Sequence, residues 1–537
     1  MNRFITFSFL LLTVGAVFIN SIRFTDSSIL PKCLWAGFGV SLLLVCIAMW
    51  FLMKDRLPWD VRLPMIGTGI ACAATGIYGI LQYLGMVSSL SPYCRVTGSF
   101  DNPAGLAACL TAGLPFLFYG VHICEKIMAK GLLGALAILS LVAVCLSESR
   151  SGIASVLVMA VAVFFPYYKG WFKKRIWCFA LLGLSLIVLS TVGYLMKKDS
   201  ADGRLLIWKC ALQMIADRPL TGHGLHAVEA KYMDYQARYL ASYPNTSARQ
   251  LADNVKHVFN EYLALGVCFG IVGWMALGGL VVVLLRCLRK RPSAEGRTGL
   301  LSLLGIGVFA AFSYPFAYPC IWVIALFDVY LILRPLLSIV FLRNVWFKVV
   351  SSVFCLSSAC LLCILTVQRT MAELKWGMAA QASANGDPNA LTVYRKLYPD
   401  LYRNPYFLYN YAAELHAARQ YRRSQTVALH CAHYWSDYDL EILLGENLYK
   451  LQLYQEAEPH FIQACLMCPS RFVPFYGLYR LYQQQGLTEK SRRIGEYILH
   501  KPVKIDSDVT RAIRSEVRRD LEKIRANSMP RWSGMER

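Results

Sequence analysis

Apolar and polar positions along the chain fall into two regimes. Up to about residue 367, uncharged stretches of membrane-spanning length recur at 4–22, 33–53, 64–85, 103–123, 131–147, 151–168, 176–196, 261–285 and 349–367. Each approaches the length a helix needs to cross a bilayer core about 30 Å thick. The stretch 298–333 is also apolar, but Ser313-Tyr314-Pro315-Phe316-Ala317-Tyr318-Pro319 interrupts it. Its prolines predict two short spans folded at that point, not one long helix. The pattern therefore predicts about eleven spans. A polar segment, 197–260, separates the seventh from the eighth and keeps helical periodicity. Beyond 367 the apolar runs give way to amphipathic spacing. The expected fold class is all-α, with a polytopic transmembrane bundle over 1–367, the outer loop 197–260 included, and a soluble helical domain over 368–537. The first span runs into Asn20-Ser21-Ile22-Arg23 without a small-residue cleavage site, which predicts an anchor and not a cleaved signal peptide.

The soluble tail repeats itself. Tyr421, Tyr454 and Leu487 recur at 33-residue intervals, each at a short break between helical patterns, and Pro469 and Pro502 are spaced alike. Small and aromatic positions alternate as paired helices require: Tyr409, Tyr411, Ala412, Tyr421 and Ala428, then Leu443, Leu448, Tyr449, Tyr454, Ala457, Phe461 and Ala464. A helix–turn–helix period of this length resembles tetratricopeptide repeats, with about three units across 405–502 and flanking helices near 370–400 and 506–526. Such a solenoid is foremost a docking platform. Cys465 and Cys468 form a CxxC within it, but no second Cys or His pair stands at zinc-ligand spacing.

Composition fixes the setting. The chain has 537 residues, of which 56% are hydrophobic and 16% charged, with a mean hydropathy of +0.43. A net charge of +22 suggests a nucleic-acid partner only until its placement is read. With the N-terminus inside, the short cytoplasmic segments hold 18 Lys and Arg and the short outer loops 4. That bias orients an inner-membrane protein and leaves no nucleic-acid footprint. With eleven spans, both 197–260 and the tail are expected on the outer, periplasmic side. The eighteen cysteines lie mostly within spans and act as small apolar residues, not as a disulfide framework.

The spans are nearly free of charge, which argues against a proton-coupled pump. Polar residues collect instead at the outer helix ends, in four clusters: Arg95-Val96-Thr97-Gly98-Ser99-Phe100-Asp101-Asn102-Pro103, Ser147-Glu148-Ser149-Arg150-Ser151-Gly152, Gly203-Arg204 to Trp208 with Asp217-Arg218-Pro219-Leu220-Thr221-Gly222-His223-Gly224, and His257-Val258-Phe259-Asn260-Glu261, followed by Gly270 and Gly273. The orientation from loop charges puts all four on one face.

In this ordered set the chain resembles the O-antigen ligase-like superfamily over about 90–290. The shared elements are Gly-x-Phe-x-Asn-Pro, a Ser-Arg at a span end, Arg-x-x-x-Trp, and Asp-x-Pro-Leu-x-Gly-x-Gly. The resemblance implies a ligase, polymerase or protein O-oligosaccharyltransferase in the bacterial inner membrane. Its donor would be a glycan on undecaprenyl diphosphate, its acceptor lipopolysaccharide core, a protein hydroxyl or a growing chain. No cofactor or metal is implied. The family commonly carries His directly before the Asn that leads, nine residues on, into Gly-x-x-Gly. Here Phe259 takes that place before Asn260, and the nearest imidazole is His257. In an extended loop positions 257 and 259 would share a side; in a helix they would not.

The chemistry follows from the charge that grows on a diphosphate leaving group. Guanidinium forks hold such a group bidentately, which points to Arg150 and Arg204, with Arg95 a third. An acceptor hydroxyl gains from a neutral base, for which His257 is the candidate and Glu261 the alternative. Glu261 also suits orienting a neighbour or capping a helix start. Asn260 is the remaining expected binding residue. His223 and His226 sit three apart, but without a nearby third ligand they predict no zinc site. Two further readings stand beside the transferase: a membrane scaffold whose repeats recruit a protein partner, and a flippase, which would show repeat symmetry absent here.

Overall fold

A computed structural model describes residues 2–53, 59–174, 198–244, 246–340, 345–504 and 506–528. The seventh expected span, 176–196, lies outside them. The helices in chain order are α1 (Asn2–Phe18), α2 (Ile29–Leu52), α3 (Arg62–Tyr83), α4 (Pro103–Ile123), α5 (Ile127–Leu146), α6 (Arg150–Lys174), α7 (Lys198–Asp217), α8 (Ala227–Ser242), α9 (Ala248–Leu251), α10 (Glu261–Lys290), α11 (Ala294–Ala310), α12 (Pro319–Val340) and α13 (Val345–Ala384). Then come α14 (Ala390–Leu401) and the paired helices α15 (Pro405–Ala417), α16 (Tyr421–Ala432), α17 (Tyr438–Lys450), α18 (Tyr454–Met467), α19 (Val473–Gln484) and α20 (Thr488–His500), closed by α21 (Asp508–Ser528). The chain divides into two compact units, one of residues 1–193, 259–262 and 274–387, the other of 194–258, 263–273 and 388–537.

Within the first unit α4 is the core. Its Gly, Ala, Thr and Leu side chains are buried nearly all round, and it packs against α3, α5, α6, α11 and α12. Small side chains allow this close approach where lipid surroundings give no hydrophobic drive between helices. Among the described residues seven helices are long and apolar enough to cross a membrane (α2, α3, α4, α5, α10, α12 and α13), and α1 and the start of α6 are shorter apolar helices. The chain is a multi-pass membrane protein. The stretch 298–333 is broken where its prolines stand, with α11 and α12 separated by a 3₁₀ turn at Pro315–Ala317. One boundary differs from expectation. The span at 349–367 and the start of the flanking helix at 370–400 form a single forty-residue helix, α13, about 60 Å long. Nothing within it breaks a helix until Asn385-Gly386-Asp387-Pro388, where Gly386 turns left-handed at φ +82°.

The second unit contains three helix pairs, α15/α16, α17/α18 and α19/α20, over the expected 405–502. Its 33-residue punctuation marks where the second helix of each pair begins: Tyr421 and Tyr454 open α16 and α18, and Leu487 immediately precedes α20. The first helix of each pair ends in the same way. Arg419, Gln452 and Gly486 adopt left-handed φ of +59°, +62° and +71°. The next amide then reaches back, from Gln420 to Leu415 O, Leu453 to Leu448 O and Leu487 to Tyr482 O, each at 2.9 Å. Those bonds satisfy carbonyls that a helix end leaves open. Helix α8, from the segment between the spans, packs on α7 and on α18.

Candidate functional site

The Gly-x-Phe-x-Asn-Pro element is a tightly tied turn. Gln82 Oε1 accepts from the amides of Thr97 (2.9 Å) and Gly98 (2.8 Å), and its Nε2 donates to Gly98 O. Ser99 Oγ donates to Val17 O at 2.6 Å, and Lys32, buried to 1% exposure, donates to Ser99 O at 2.7 Å and Ser28 O at 3.1 Å. Asn102 caps α4, accepting from Ala104 N at 2.8 Å, while its Nδ2 donates to Tyr314 Oη at 3.0 Å. Pro103 fills the first helical position, where its missing N–H is no loss. Phe100 meets Tyr318 edge-on at 5.4 Å. The motif's small and polar residues thus build the N-terminal end of α4 and join it to the break between α11 and α12.

Arg150 opens α6, half-buried, with Ser149 Oγ accepting from Gly152 N at 3.2 Å as the cap. A cation at a helix N-terminus opposes the macrodipole. Facing an anion, the helix end and the guanidinium act in the same direction. Arg95 is exposed and turned toward α3, its guanidinium 4.7 Å over the Tyr83 ring and bonded to the Tyr83 carbonyl.

The second unit explains the Asp-x-Pro-Leu-x-Gly-x-Gly turn. Helix α10 is interrupted at Gly270, whose φ of 59° and ψ of −148° belong to no helix. The bend is sharp: Trp274 Nε1 donates to Tyr262 O at 2.8 Å, although twelve residues of straight helix span about 18 Å. In a continuous helix Ile271 N and Val272 N would bond to Val267 O and Cys268 O. They donate instead to Pro219 O (2.8 Å) and Leu220 O (3.3 Å), and the two vacated carbonyls accept from His223 N (2.8 Å) and Gly224 N (2.9 Å). Four helix groups have exchanged partners with the turn. The approach needs two glycines. A Cβ on Gly270 would lie 2.5 Å from both Leu220 O and Pro219 O, and one on Gly222, itself at φ +66°, would lie 2.4 Å from Cys268 C. Asp217 accepts from Tyr235 Oη at 2.7 Å, which ties the turn's start to α8. The 30-residue α10 is longer than a span needs, and the bend leaves 20 residues after it for the crossing.

Residues 252–260 form an irregular loop before α10. Trp208, one helical turn after the half-buried Arg204 on α7, donates from Nε1 to Val258 O at 3.1 Å. The Arg-x-x-x-Trp pair therefore shares one face and holds the residue next to His257. His257 is half-buried, and desolvation, aided by the Lys256 charge beside it, lowers its pKa to about 4. The imidazole is neutral at pH 7. Phe259 sits at φ +56°, so the extended alternation does not continue from 257 through 259. Its ring packs edge-on against Tyr314 at 5.3 Å, beside the hydroxyl that bonds Asn102. Asn260 directly precedes α10, and Glu261 Oε1 accepts from Phe316 N at 3.2 Å, which makes it an anchor for the α11–α12 break.

Arg95, Arg150 and Asn260 belong to the first unit, and Arg204 and His257 to the second. His223 Nε2 faces Met214 O at 2.8 Å and so carries its proton there, while His226 is turned to Glu229. Cys465 and Cys468 are buried, and burial pushes both thiols well above their ordinary range. Tyr314 and Tyr318 carry more of the site's architecture than their sequence context indicated. The signal present was an aromatic–proline cluster inside an apolar stretch.

Comparison with known proteins bears on these same residues. No curated protein matches the chain. Among solved structures the yeast Tom70 crystal structure aligns at 11% identity with a TM-score of 0.27, covering 78% of this chain and 93% of that one, a likeness too low to carry an argument. The family model described as O-antigen ligase matches residues 135–278, from within α5 through Arg150, Arg204, the Pro219–Gly224 turn and His257 to the Gly-x-x-Gly of α10, and over this stretch the chain is similar to O-antigen ligases.

Proposed function

We propose that this chain is a transferase moving a preassembled glycan from undecaprenyl diphosphate to an acceptor at the outer face of the bacterial inner membrane. The ligase match over 135–278 carries the coarser part, a ligase- or polymerase-type glycan transferase in the membrane. In the reaction, Arg150 and Arg204 clamp the diphosphate through bidentate forks whose hold strengthens as the glycosidic bond breaks. Arg95 supplies an outer positive charge, and Asn260 binds the sugar next to the bond. His257, neutral, takes the acceptor hydroxyl's proton as the oxygen attacks the anomeric carbon. The approach of the anionic diphosphate raises the imidazole pKa from about 4 toward the range where a general base works best. No metal enters this scheme. The repeat domain lies in the periplasm and favours a large acceptor, lipopolysaccharide core or an extended protein, since solenoids bind long ligands on a concave face.

Gene deletion followed by analysis of surface polysaccharide and glycoprotein tests this reading. Loss of glycan from lipopolysaccharide core or from protein, with polymer length unchanged, fits a ligase or oligosaccharyltransferase. Loss of chain length alone makes the enzyme a polymerase. An unchanged envelope would refute the transferase.

A further inference from the structure

The loop carrying His257 is irregular from Ala252 to Val258, so its place depends on side chains from elsewhere in its unit. Helix α8 supplies Gln236, which has no exposed surface. Its Nε2 donates at once to Asp253 O in the loop (3.0 Å) and to Met467 O at the end of α18 (2.8 Å), while Oε1 accepts from the buried Tyr232 hydroxyl at 3.0 Å. Both amide hydrogens are used, one on the loop and one on the second repeat. Beside this bridge, Asp253 pairs with Arg471 at 2.9 Å, in the turn between the second and third repeats, and lies 3.6 Å from Lys504 after the third. Asn254 Nδ2 donates at 2.7 Å to Asp437, which is 2% exposed and caps α17 through Asp439 N. Ser470 Oγ reaches Ala252 O at 3.3 Å.

Three consecutive loop residues are thus each fixed to the repeats. The half-exposed ion pairs contribute little singly. The buried amide and carboxylate differ, because a buried polar group that loses its partner bears the full desolvation cost.

We propose that the second and third repeats are the brace of the loop that carries His257, with Gln236, Arg471 and Asp437 as positioning residues for glycan transfer. This rests on His257 being the base. The repeat domain is then part of the catalytic unit, and an acceptor docking on it touches the same helices that set the geometry of the base. A displacement of about 1 Å at a reacting group lowers rates about 10²-fold, so the brace acts on kcat more than on donor binding.

The test uses the full chain in detergent, with Gln236→Leu and Asp437→Ala as the perturbations and Arg492→Leu, in an exposed ion-pair cluster of α20, as the control. Amide hydrogen exchange and transfer kinetics with a lipid-diphosphate-linked oligosaccharide are read together. Both perturbing variants should raise exchange across 252–258 about tenfold or more while α19 stays protected. They should lower kcat about 10- to 100-fold with donor KM within about twofold, and the control should change neither. Unchanged exchange in 252–258 overturns the brace, and so does faster exchange with unaltered kcat. Wild-type protein that transfers nothing would fail the transferase reading alone, and the exchange result would still decide the brace.

Discussion

Replacing Gly270 by Ala tests whether the exchange of backbone partners between α10 and the 218–224 turn organises this part of the second unit. The conformation at φ 59° and ψ −148° is close to a region that only glycine occupies readily, and side chains held in such regions cost about 1–3 kcal/mol. The added Cβ would meet two backbone carbonyl oxygens at 2.5 Å, neither of which can swing aside as a side-chain tip would. The turn must therefore withdraw and give up its four cross bonds. Ile271 N and Val272 N can recover helical partners, whereas the turn's own groups are left to water. With each net hydrogen bond contributing about 0.5–1.5 kcal/mol, the total comes to about 3–5 kcal/mol, at the diagnostic end for a single substitution. Hydrogen exchange at His223 and Gly224 reads the event directly and should accelerate by two or more orders of magnitude. Gly222→Ala breaks the same contact from the other side. The double variant should be barely worse than either single one, because the turn can leave only once. Gly278→Ala in the same helix has nothing within 4 Å of its new Cβ and should be neutral or slightly stabilising. Full protection at His223 and Gly224 in Gly270→Ala, or strictly additive losses in the double variant, would refute the reasoning.

Four other outcomes follow from the site and its charges. Arg150→Ala and Arg204→Ala should abolish transfer while the protein still inserts, and Lys at either position should rescue poorly, since it lacks the bidentate fork; near wild-type turnover in both Lys variants removes the diphosphate clamp. His257→Ala should lower transfer about 10²- to 10⁴-fold with donor affinity nearly unchanged; if it is fully active and Glu261→Gln is dead, the carboxylate is the base. Asp437, held up at about 6 by burial, binds its proton more tightly folded than unfolded, so its contribution is complete below about pH 4 and is lost as pH rises through 6; the difference is about 3 kcal/mol, and Asp437→Asn should flatten denaturant midpoints between pH 4 and 7. Cysteines introduced for Ser242 and Asn527 should both react with an impermeant reagent on whole cells, and protection of Asn527 alone would put the tail inside.

The fold was legible where a local pattern sufficed. Span-length apolar runs located the membrane helices, the prolines at 315 and 319 located the break, and the 33-residue period located the start of every second repeat helix. The bend in α10 was not legible, because hydropathy averages over Gly270 and reads 261–285 as one span. Only the turn that takes over its backbone groups explains why a helix should stop there, and that turn lies some fifty residues earlier in the chain. Left-handed caps at Arg419 and Gln452 were hidden for a related reason. Neither residue favours that conformation, so tertiary packing and not propensity sets it. The ties of Asp253 and Asn254 to Arg471 and Asp437 join residues about two hundred positions apart, which no periodicity reports.

The four motif clusters divide by what their residues do. Gly98, Ser99 and Asn102, with Asp217, Gly222 and Gly270, bind backbone to backbone and cap to helix, and their chemistry is satisfied within the fold. Arg150 is different in kind, being a cation at the start of a helix, where the helix dipole opposes it and an anion would be held by both. Phe259 is different again. Its ring lies against Tyr314, whose hydroxyl is bonded to Asn102. An imidazole there would stand beside the Gly-x-Phe-x-Asn-Pro turn. His257, tied through Val258 to Trp208, instead stands beside the helix that carries Arg204. The candidate base therefore stands beside the helix that carries Arg204 and not beside the Gly-x-Phe-x-Asn-Pro turn. Phe259→His in the His257→Ala background discriminates between the two places: recovered transfer means both positions open on one pocket, and none means the base is useful only from the Arg204 side.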